Sequence, residues 1–228
     1  MCGRFTLTRS AAEVAEHFGL DAAPAFAPRY NLAPSQEAPV VRIGRDGERV
    51  AELRRWGLVP RWAKDVSVGA RMINARVESV AERPAFRDAL RRRRCLVPAD
   101  GFYEWQGRAG HRRPHHIALP DGDLFAMAGL YERWLGPGGE AVDSFTVLTE
   151  PASGAVAALH GRMPMILDPE AYATWLAREA LAPGAIQALA RSRAAGLVTR
   201  PVDVRVNDVR NDDPACLAPP AEPELPLF

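Results

Sequence analysis

The 228-residue sequence has few cysteines, and this scarcity excludes several classes of protein. Cys2, Cys95 and Cys216 are widely spaced and include no CxxC pair. An odd number of scattered cysteines argues against a disulfide framework and favours a reducing, cytoplasmic compartment. No apolar run is long enough to span a bilayer, and no basic-then-apolar signal sequence opens the chain. No His/Cys set has the spacing of zinc ligands, so the sequence predicts no metal and no cofactor.

Lysine is almost absent: Lys64 is the single lysine among the 29 basic residues, and the others are arginine. Lys64 is therefore the one lysine side chain that could form a Schiff base. The net charge of +1 does not by itself indicate a polyanionic partner. A run of arginines at 91–94 falls near the end of a predicted helix, where cations favour the helix dipole. We interpret that run as structural surface rather than as a DNA-binding patch.

What is present indicates a single globular domain with 47% hydrophobic and 25% charged residues. Ser10 followed by Glu13 predicts a capped helix that ends at Gly19. Segments 40–43 and 49–56 predict a β-hairpin, and 84–93, 169–178 and 183–193 predict helices. Proline-punctuated residues 21–36 predict a loop, in which Tyr30 and Asn31 would form a turn satisfied by its own side chains.

The residue after the initiator methionine carries the first candidate chemistry. Methionine is generally removed before a small residue, which would leave Cys2 with a free α-amine beside its thiol. Both groups are nucleophiles near neutral pH, and together they can close a thiazolidine ring on an aldehyde. An incidental cysteine in a leader dipeptide is the alternative, and the two interpretations are equally supported at this point.

Three further segments of the sequence contain candidate polar groups. Asn74, Arg76 and Glu78 alternate along a predicted strand and would share one face, either as a cleft wall or as a solvated edge. Glu104 has aromatic and apolar neighbours, so its carboxyl group would be partly desolvated and suited to proton transfer unless it alternates outward. His160 is held between glycine and proline in a tight loop, although a lone histidine is usually structural.

Two tryptophans close to arginines raise the possibility of nucleic-acid binding. Bases stack on aromatic rings while cations neutralise phosphates, a combination that is typical of single-strand binders. The sequence predicts a core position for Trp56 and an exposed one for Trp62.

Six ordered motifs together resemble the SOS response-associated peptidase (SRAP) family, whose members include abasic-site-processing proteins. They are Met1-Cys2-Gly3-Arg4-Phe5, Arg29-Tyr30-Asn31-Leu32-Ala33-Pro34, Trp56-Gly57-Leu58-Val59-Pro60, Ile73-Asn74-Ala75-Arg76-Val77-Glu78, Pro98-Ala99-Asp100-Gly101-Phe102-Tyr103-Glu104-Trp105 and Leu159-His160-Gly161-Arg162-Met163-Pro164.

The resemblance implies an α+β fold with mixed and antiparallel β-sheets, a barrel-like core around a DNA-binding cleft, and flanking helices. It implies a single domain over 1–212 and an irregular proline-rich tail over 213–228. The implied function is covalent capture of abasic sites in single-stranded DNA through a thiazolidine at Cys2. AP-lyase-like activity and autoproteolytic removal of Met1 are implied with it, and a monomer is expected.

The resemblance also implies roles for individual residues. Cys2 would form the crosslink, Asn74 would orient it, and Glu104 and His160 would transfer protons. The implied DNA-binding residues are Arg4, Trp62, Arg76, Arg83, Thr149 and Arg162. Arg83 is placed less directly than the others, because the family's basic residue is shifted by one position.

Two functions of other classes remain open from the sequence. The first is an N-terminal-nucleophile hydrolase or amidotransferase, in which Cys2, His160 and Asn74 would form a Cys-His-Asn site. Release of ammonia from glutamine would identify it. The second is a single-strand DNA binder without covalent chemistry, whose complexes would not survive denaturation.

Overall fold

The computed structural model describes residues 2–108, 112–182, 184–189 and 196–221, apart from the side chain of residue 187. Met1, parts of the helix predicted at 183–193 and residues 222–228 of the predicted tail lie outside these ranges. None of the helices in the described ranges is long and apolar enough to cross a membrane.

Strands dominate the described residues. They are β1 Phe5–Leu7, β2 Arg29–Leu32, β3 Glu37–Ile43, β4 Arg49–Trp56, β5 Asn74–Arg76, β6 Arg94–Ala99, β7 Gly101–Gln106, β8 Arg113–Ala118, β9 Phe125–Leu135, β10 Ala141–Pro151, β11 Arg162–Pro164, β12 Ile166–Leu167 and β13 Val198–Pro201. The α-helices are α1 Ala11–Phe18, α2 Arg87–Arg92, α3 Tyr172–Leu176 and α4 Ala185–Leu189. Short 3-10 helices cover Val66–Arg71, Gly154–Ala158, Pro169–Ala171, Val204–Asn207 and Pro214–Leu217.

The larger sheet closes on itself as a barrel. Its strands follow the order β10-β4-β3-β6-β9, and β9 pairs with β10 again to complete the ring. β4 runs parallel to β10, and the other pairs in the ring are antiparallel. β5, β11 and β12 extend the barrel at its rim, because β5 and β11 pair with β10 and β12 pairs with β9. The expected α+β fold with a barrel-like core is therefore confirmed.

The second sheet is antiparallel, with the order β13-β8-β7-β1-β2. Phe5 of β1 lies opposite Phe102 of β7, and the Tyr103 amide donates to the Arg4 carbonyl at 3.0 Å. The N-terminal residues therefore run alongside β7, the strand that carries Glu104.

Alternate side chains of the barrel strands point to opposite faces and so belong to two different hydrophobic clusters. Val41 and Leu96 belong to a cluster covered by the α-helices, whereas Val40 and Val97 belong to one covered by the second sheet. Because both faces of these strands are buried, their sequences read as continuous apolar runs. Cys2 packs in the second cluster.

Local signals predicted the hairpin and the first helix well. β3 and β4 pair along their whole length, and α1 has the full capping box of Ser10 and Glu13. Gly19 ends that helix at φ 63°, the left-handed conformation that glycine tolerates.

Several expectations about the secondary structure were wrong. Residues 29–32 are not loop, since they form β2 and pair with β1. The turn predicted at Tyr30 and Asn31 does not form, and Asn31 is fully buried in contacts with distant backbone. The helices predicted at 84–93 and 169–178 shrink to α2 and to a 3-10 turn followed by α3. Phe86 precedes α2 at φ −123° and without a side-chain capping bond, so the regular helix begins only at Arg87.

Candidate active site

Cys2 lies at the junction of the two sheets. Its side chain is fully buried beside Trp56 and Val147, and its Sγ lies 3.7 Å from the Arg4 carbonyl oxygen. Burial raises the pKa of the Cys2 thiol, and the negative charge of Glu104 raises it further. The thiol is therefore protonated at neutral pH, and its reaction as a nucleophile requires a neighbouring base.

Asn74 holds the Cys2 backbone. It begins β5, opposite Val147 of β10, and the Trp56 indole nitrogen donates to the preceding Ile73 carbonyl at 2.9 Å. From this anchored position the Asn74 Nδ2 donates to the Cys2 carbonyl oxygen at 2.7 Å. The Asn74 Oδ1 is buried and accepts no hydrogen bond from the described residues. The predicted orienting contact to the Cys2 backbone is thus present.

Glu104 and His160 lie close to each other, and the charge of Glu104 acts on the Cys2 thiol. Glu104 projects from β7 and is only 3% exposed, so the expectation of a desolvated carboxyl is met and the outward alternative is wrong. Its Oε1 lies 3.9 Å from His160 Nδ1. His160 Nδ1 lies 2.9 Å from the Arg162 backbone nitrogen and accepts its amide hydrogen.

Arg162 is held by three groups at the start of β11. Its guanidinium makes a bidentate pair with Glu78, at 2.5 Å to Oε1 and 3.0 Å to Oε2. It also donates to the Thr149 carbonyl, and to the Thr149 hydroxyl at 3.3 Å. The Arg162 hydrogen bond lowers the pKa of Glu78, which is therefore ionised at neutral pH. The predicted phosphate-binding arginine is thus neutralised by an internal carboxylate in this structure.

Arg4 is also occupied by protein groups. Its guanidinium donates to the Asn31 Oδ1 at 2.8 Å and to the Val206 carbonyl at 2.9 Å, and it lies 5.9 Å from the centre of the Trp105 ring. Burial lowers the pKa of Arg4. These contacts tie the N-terminus to the 3-10 helix at Val204–Asn207.

The sequence did not reveal the polar network around Asn31. The Asn31 amide nitrogen donates to the carbonyls of Val206, Asp208 and Asn211, and Asp212 accepts from the backbone amides of Tyr30 and Asn31. The only available signal was the Arg29–Pro34 motif itself, because its partners lie near the end of the chain.

The remaining predicted DNA-binding residues lie on open surface. Arg76 and Arg83 are exposed, and the parallel register of β5 and β10 places Arg76 beside Thr149. Trp62 is 60% exposed, as expected, and it lines a groove of about 270 Å³ together with Pro84 and Arg92. The structure thus gathers Cys2, Asn74, Glu104, His160, Thr149 and Arg162, while Trp62 lies on a separate groove next to α2.

This arrangement suits nucleophilic chemistry with proton transfer. A protonated thiol, a buried carboxyl group and an imidazole lie together, and the Asn74 amide fixes the backbone of Cys2. Within the described ranges, no group of three or more His, Cys, Asp or Glu side chains is placed to hold a metal ion.

Comparison with known proteins gives consistent results. The sequence model of the SOS response associated peptidase (SRAP) family matches residues 1–209. The abasic site processing protein YoqW of Bacillus subtilis (strain 168) is 38% identical over 219 residues, covering 94% of this chain and 97% of that protein. The abasic site processing protein HMCES of Gallus gallus is 35% identical over 225 residues, covering 85% of this chain and 67% of that protein.

Solved structures agree on the fold. A crystal structure of a protein from Bacteroides thetaiotaomicron superposes with a TM-score of 0.84 at 23% identity, covering 96% of this chain and 99% of that one. A Bordetella bronchiseptica protein superposes with a TM-score of 0.76 at 26% identity, covering 89% of this chain and 100% of that one.

Proposed function

This chain belongs to the SOS response associated peptidase family, and from that premise we propose that it captures abasic sites in single-stranded DNA through Cys2. The observation that carries the proposal is the setting of Cys2. Asn74 fixes its carbonyl, while the Glu104 carboxyl group and the His160 imidazole lie beside it. The names of the YoqW and HMCES relatives, which describe abasic site processing, support the same substrate.

The reaction begins once Met1 has been removed and the α-amine of Cys2 is free. An abasic deoxyribose opens to an aldehyde, and the amine adds to the aldehyde carbon to give a carbinolamine. Loss of one water leaves an imine. The Cys2 sulfur then adds to the imine carbon, and the thiol proton passes to the nitrogen, which closes a thiazolidine. The net change is one C–N bond and one C–S bond formed for one water released.

Glu104 and His160 supply the proton transfers. Opening the sugar and expelling water from the carbinolamine both need an acid, and sulfur addition needs a base because the thiol is protonated. A carboxyl group at 3.9 Å from an imidazole can fill these roles in turn, and such assistance is typically worth ~10²–10⁴ in rate. We assign the acid steps to the pair and the deprotonation of the thiol to Glu104.

The DNA strand follows the surface around this site. Arg76 and Arg162 flank Thr149 and would bind the phosphates next to the abasic sugar, with Arg4 and Arg83 further along. Trp62 offers an exposed ring on which a base can stack. We include AP-lyase-like strand cleavage in the proposal, because an uncaptured imine permits β-elimination. We also include autoproteolytic removal of Met1, which frees the α-amine of Cys2.

Intact mass spectrometry after incubation with an abasic single-stranded oligonucleotide tests the proposal. We expect a species at the mass of the protein without Met1 plus the oligonucleotide minus one water, stable to heat and denaturant. Cys2→Ala should bind DNA without forming this species, whereas Cys95→Ala, which removes another buried thiol, should form it normally. A stable adduct in Cys2→Ala, or none in the wild type, would disprove the mechanism.

A further inference from the structure

Five arginines line one groove that the proposed function does not use. The groove encloses about 640 Å³ and is lined by Arg42, Arg45, Arg92, Arg94 and Arg178, together with Tyr131 and a few apolar residues. Its described lining contains no aspartate or glutamate. A concave surface lined by charges of one sign focuses the electrostatic potential and attracts counter-ions.

Three of these arginines are already held in place by the protein. Arg42 is paired with the two carboxylate oxygens of Glu52 and is thereby neutralised. Arg178 donates to the Gly44 carbonyl. Arg94, which is almost fully buried, donates to the carbonyls of Leu90, Arg91, Trp175, Ala177 and Glu179.

Arg94 is therefore structural, as the sequence suggested for the run at 91–94, but its charge is not cancelled. Carbonyl oxygens satisfy the N–H groups of a guanidinium without supplying a full negative charge. Among the described residues no carboxylate is within ion-pair distance of Arg94, and the charge of Glu179 acts on it only from further away. A buried cation in a region of low dielectric acts over a longer range than one in water. Arg94 thus adds a fixed positive potential to the groove wall.

Arg45 and Arg92 are the cations that are available to a ligand. Both are exposed, and in the described part of the chain neither guanidinium group makes a hydrogen bond or an ion pair. Each guanidinium presents a planar fork that matches the oxygen atoms of a phosphate. The half-buried Tyr131 also lines the groove, and the Arg42 guanidinium lies 5.8 Å from the centre of its ring.

Arg92 connects this groove with the one that contains Trp62. The last residue of α2 lines both cavities, so the basic end of the helix separates the exposed tryptophan from the five-arginine groove. We propose that the groove at Arg45 and Arg92 binds the phosphodiester backbone of a single DNA strand where that strand continues beyond the abasic site. This inference rests on the proposed function, since it extends the path of the same strand.

The salt dependence of binding to long and short oligonucleotides tests the groove. Both oligonucleotides lack an abasic site, so the result does not depend on crosslinking. For the long strand, Arg45→Ala with Arg92→Ala should flatten the log–log salt slope by about 1.4, since each phosphate contact on a single strand contributes roughly 0.7. The short strand, which spans only the site around Cys2, should bind the variant as it binds the wild type.

The matched control is Arg87→Ala with Arg133→Ala, which also removes two exposed arginines but leaves the groove intact. Equal flattening in both double variants would overturn the proposal in favour of a general charge effect. An unchanged long-strand slope in the groove variant would also overturn it. If that variant instead loses binding of tripolyphosphate while the slope is unchanged, the groove takes free phosphates and not DNA. Failure of abasic crosslinking, by contrast, would refute only the chemistry at Cys2.

Discussion

The side-chain nitrogen of Asn74 lies 2.7 Å from the carbonyl oxygen of Cys2. A strand at the rim of the barrel thereby fixes the backbone of the residue that we propose as the nucleophile. In this hydrogen bond the Asn74 amide donates and the Cys2 carbonyl accepts. Replacing the amide by a carboxylate of the same size would therefore remove the donor without changing the size of the side chain.

Asn74→Asp should slow crosslinking strongly while leaving the affinity for single-stranded DNA close to the wild-type value. The carboxylate would oppose the Cys2 carbonyl with a second acceptor, and a lost buried hydrogen bond to such a group costs about 1–3 kcal/mol. Single-turnover crosslinking and fluorescence anisotropy would measure the two effects separately. Equal losses of rate and affinity would make Asn74 a DNA-binding residue instead.

Glu104→Gln should slow the reaction of Cys2 with abasic DNA. The charge of Glu104 raises the pKa of the Cys2 thiol, but burial is the larger cause and remains in the variant, so the thiol stays protonated at neutral pH and loses the base that would take its proton. Crosslinking to abasic DNA should become slower, by ~10²-fold or more, because glutamine cannot carry a proton.

Single-turnover crosslinking and fluorescence anisotropy would separate the chemistry from binding. The affinity of Glu104→Gln for single-stranded DNA should stay close to the wild-type value. A wild-type crosslinking rate would show that Glu104 takes no part in the chemistry, and lost affinity with a normal rate would make it a binding residue instead.

Short-range patterns explain which parts of the fold the sequence predicted. The β3–β4 hairpin and the capping box at Ser10 depend on neighbouring residues, so their signals are contained in a few positions. β2 was missed because it has prolines on both sides and exists only through pairing with β1. Tertiary pairing of this kind overrides local propensity.

In the candidate site, too, local patterns were predictable and contacts between distant residues were not. Glu104 was identified by its neighbours, but alternation alone could not decide which way it faces. In the structure the Glu104 side chain faces inward, where the second sheet and the barrel cover it and leave it only 3% exposed. The roles of Arg4 and Arg162 in the DNA-free protein were not predictable, since their partners Asn31 and Glu78 are brought to them by the fold.

His116 should make the protein less stable in mild acid. Burial lowers its pKa from 6.5 to about 3, and its Nε2 lies 3.2 Å from the Thr6 hydroxyl. Between these two pKa values the unfolded chain takes up a proton that the folded chain does not, so stability falls as the pH drops below 6.5. From pH 7 to pH 5 the contribution of His116 is about 2 kcal/mol.

Urea unfolding at both pH values would test this prediction. His116→Gln should have a lower free energy of unfolding at pH 7 but should lose less of it on acidification than the wild type does. An identical pH dependence in the two proteins would show that other groups, such as the half-buried His115, cause the acid sensitivity.

Glu78→Gln should strengthen binding of single-stranded DNA. Glu78 is 47% exposed and occupies both terminal nitrogens of Arg162, the same positions that a phosphate would take in a bidentate contact. The Nε of Arg162 is buried and therefore cannot reach a ligand. DNA must displace the carboxylate, and glutamine would compete with the phosphate far less because it carries no charge.

The expected signature is a log–log salt slope that is steeper by about 0.7, the value of one further phosphate contact on a single strand. The effect should vanish in an Arg162→Ala background, because Glu78 then has no guanidinium to occupy. Comparing the two single variants with the double variant in a double-mutant cycle measures this coupling. Glu82→Gln, which neutralises an exposed carboxylate in the following turn, is the matched control and should leave the slope unchanged. Weaker binding with a flatter slope in Glu78→Gln would reverse the interpretation: the carboxylate would then hold Arg162 in position for the phosphate rather than compete with it.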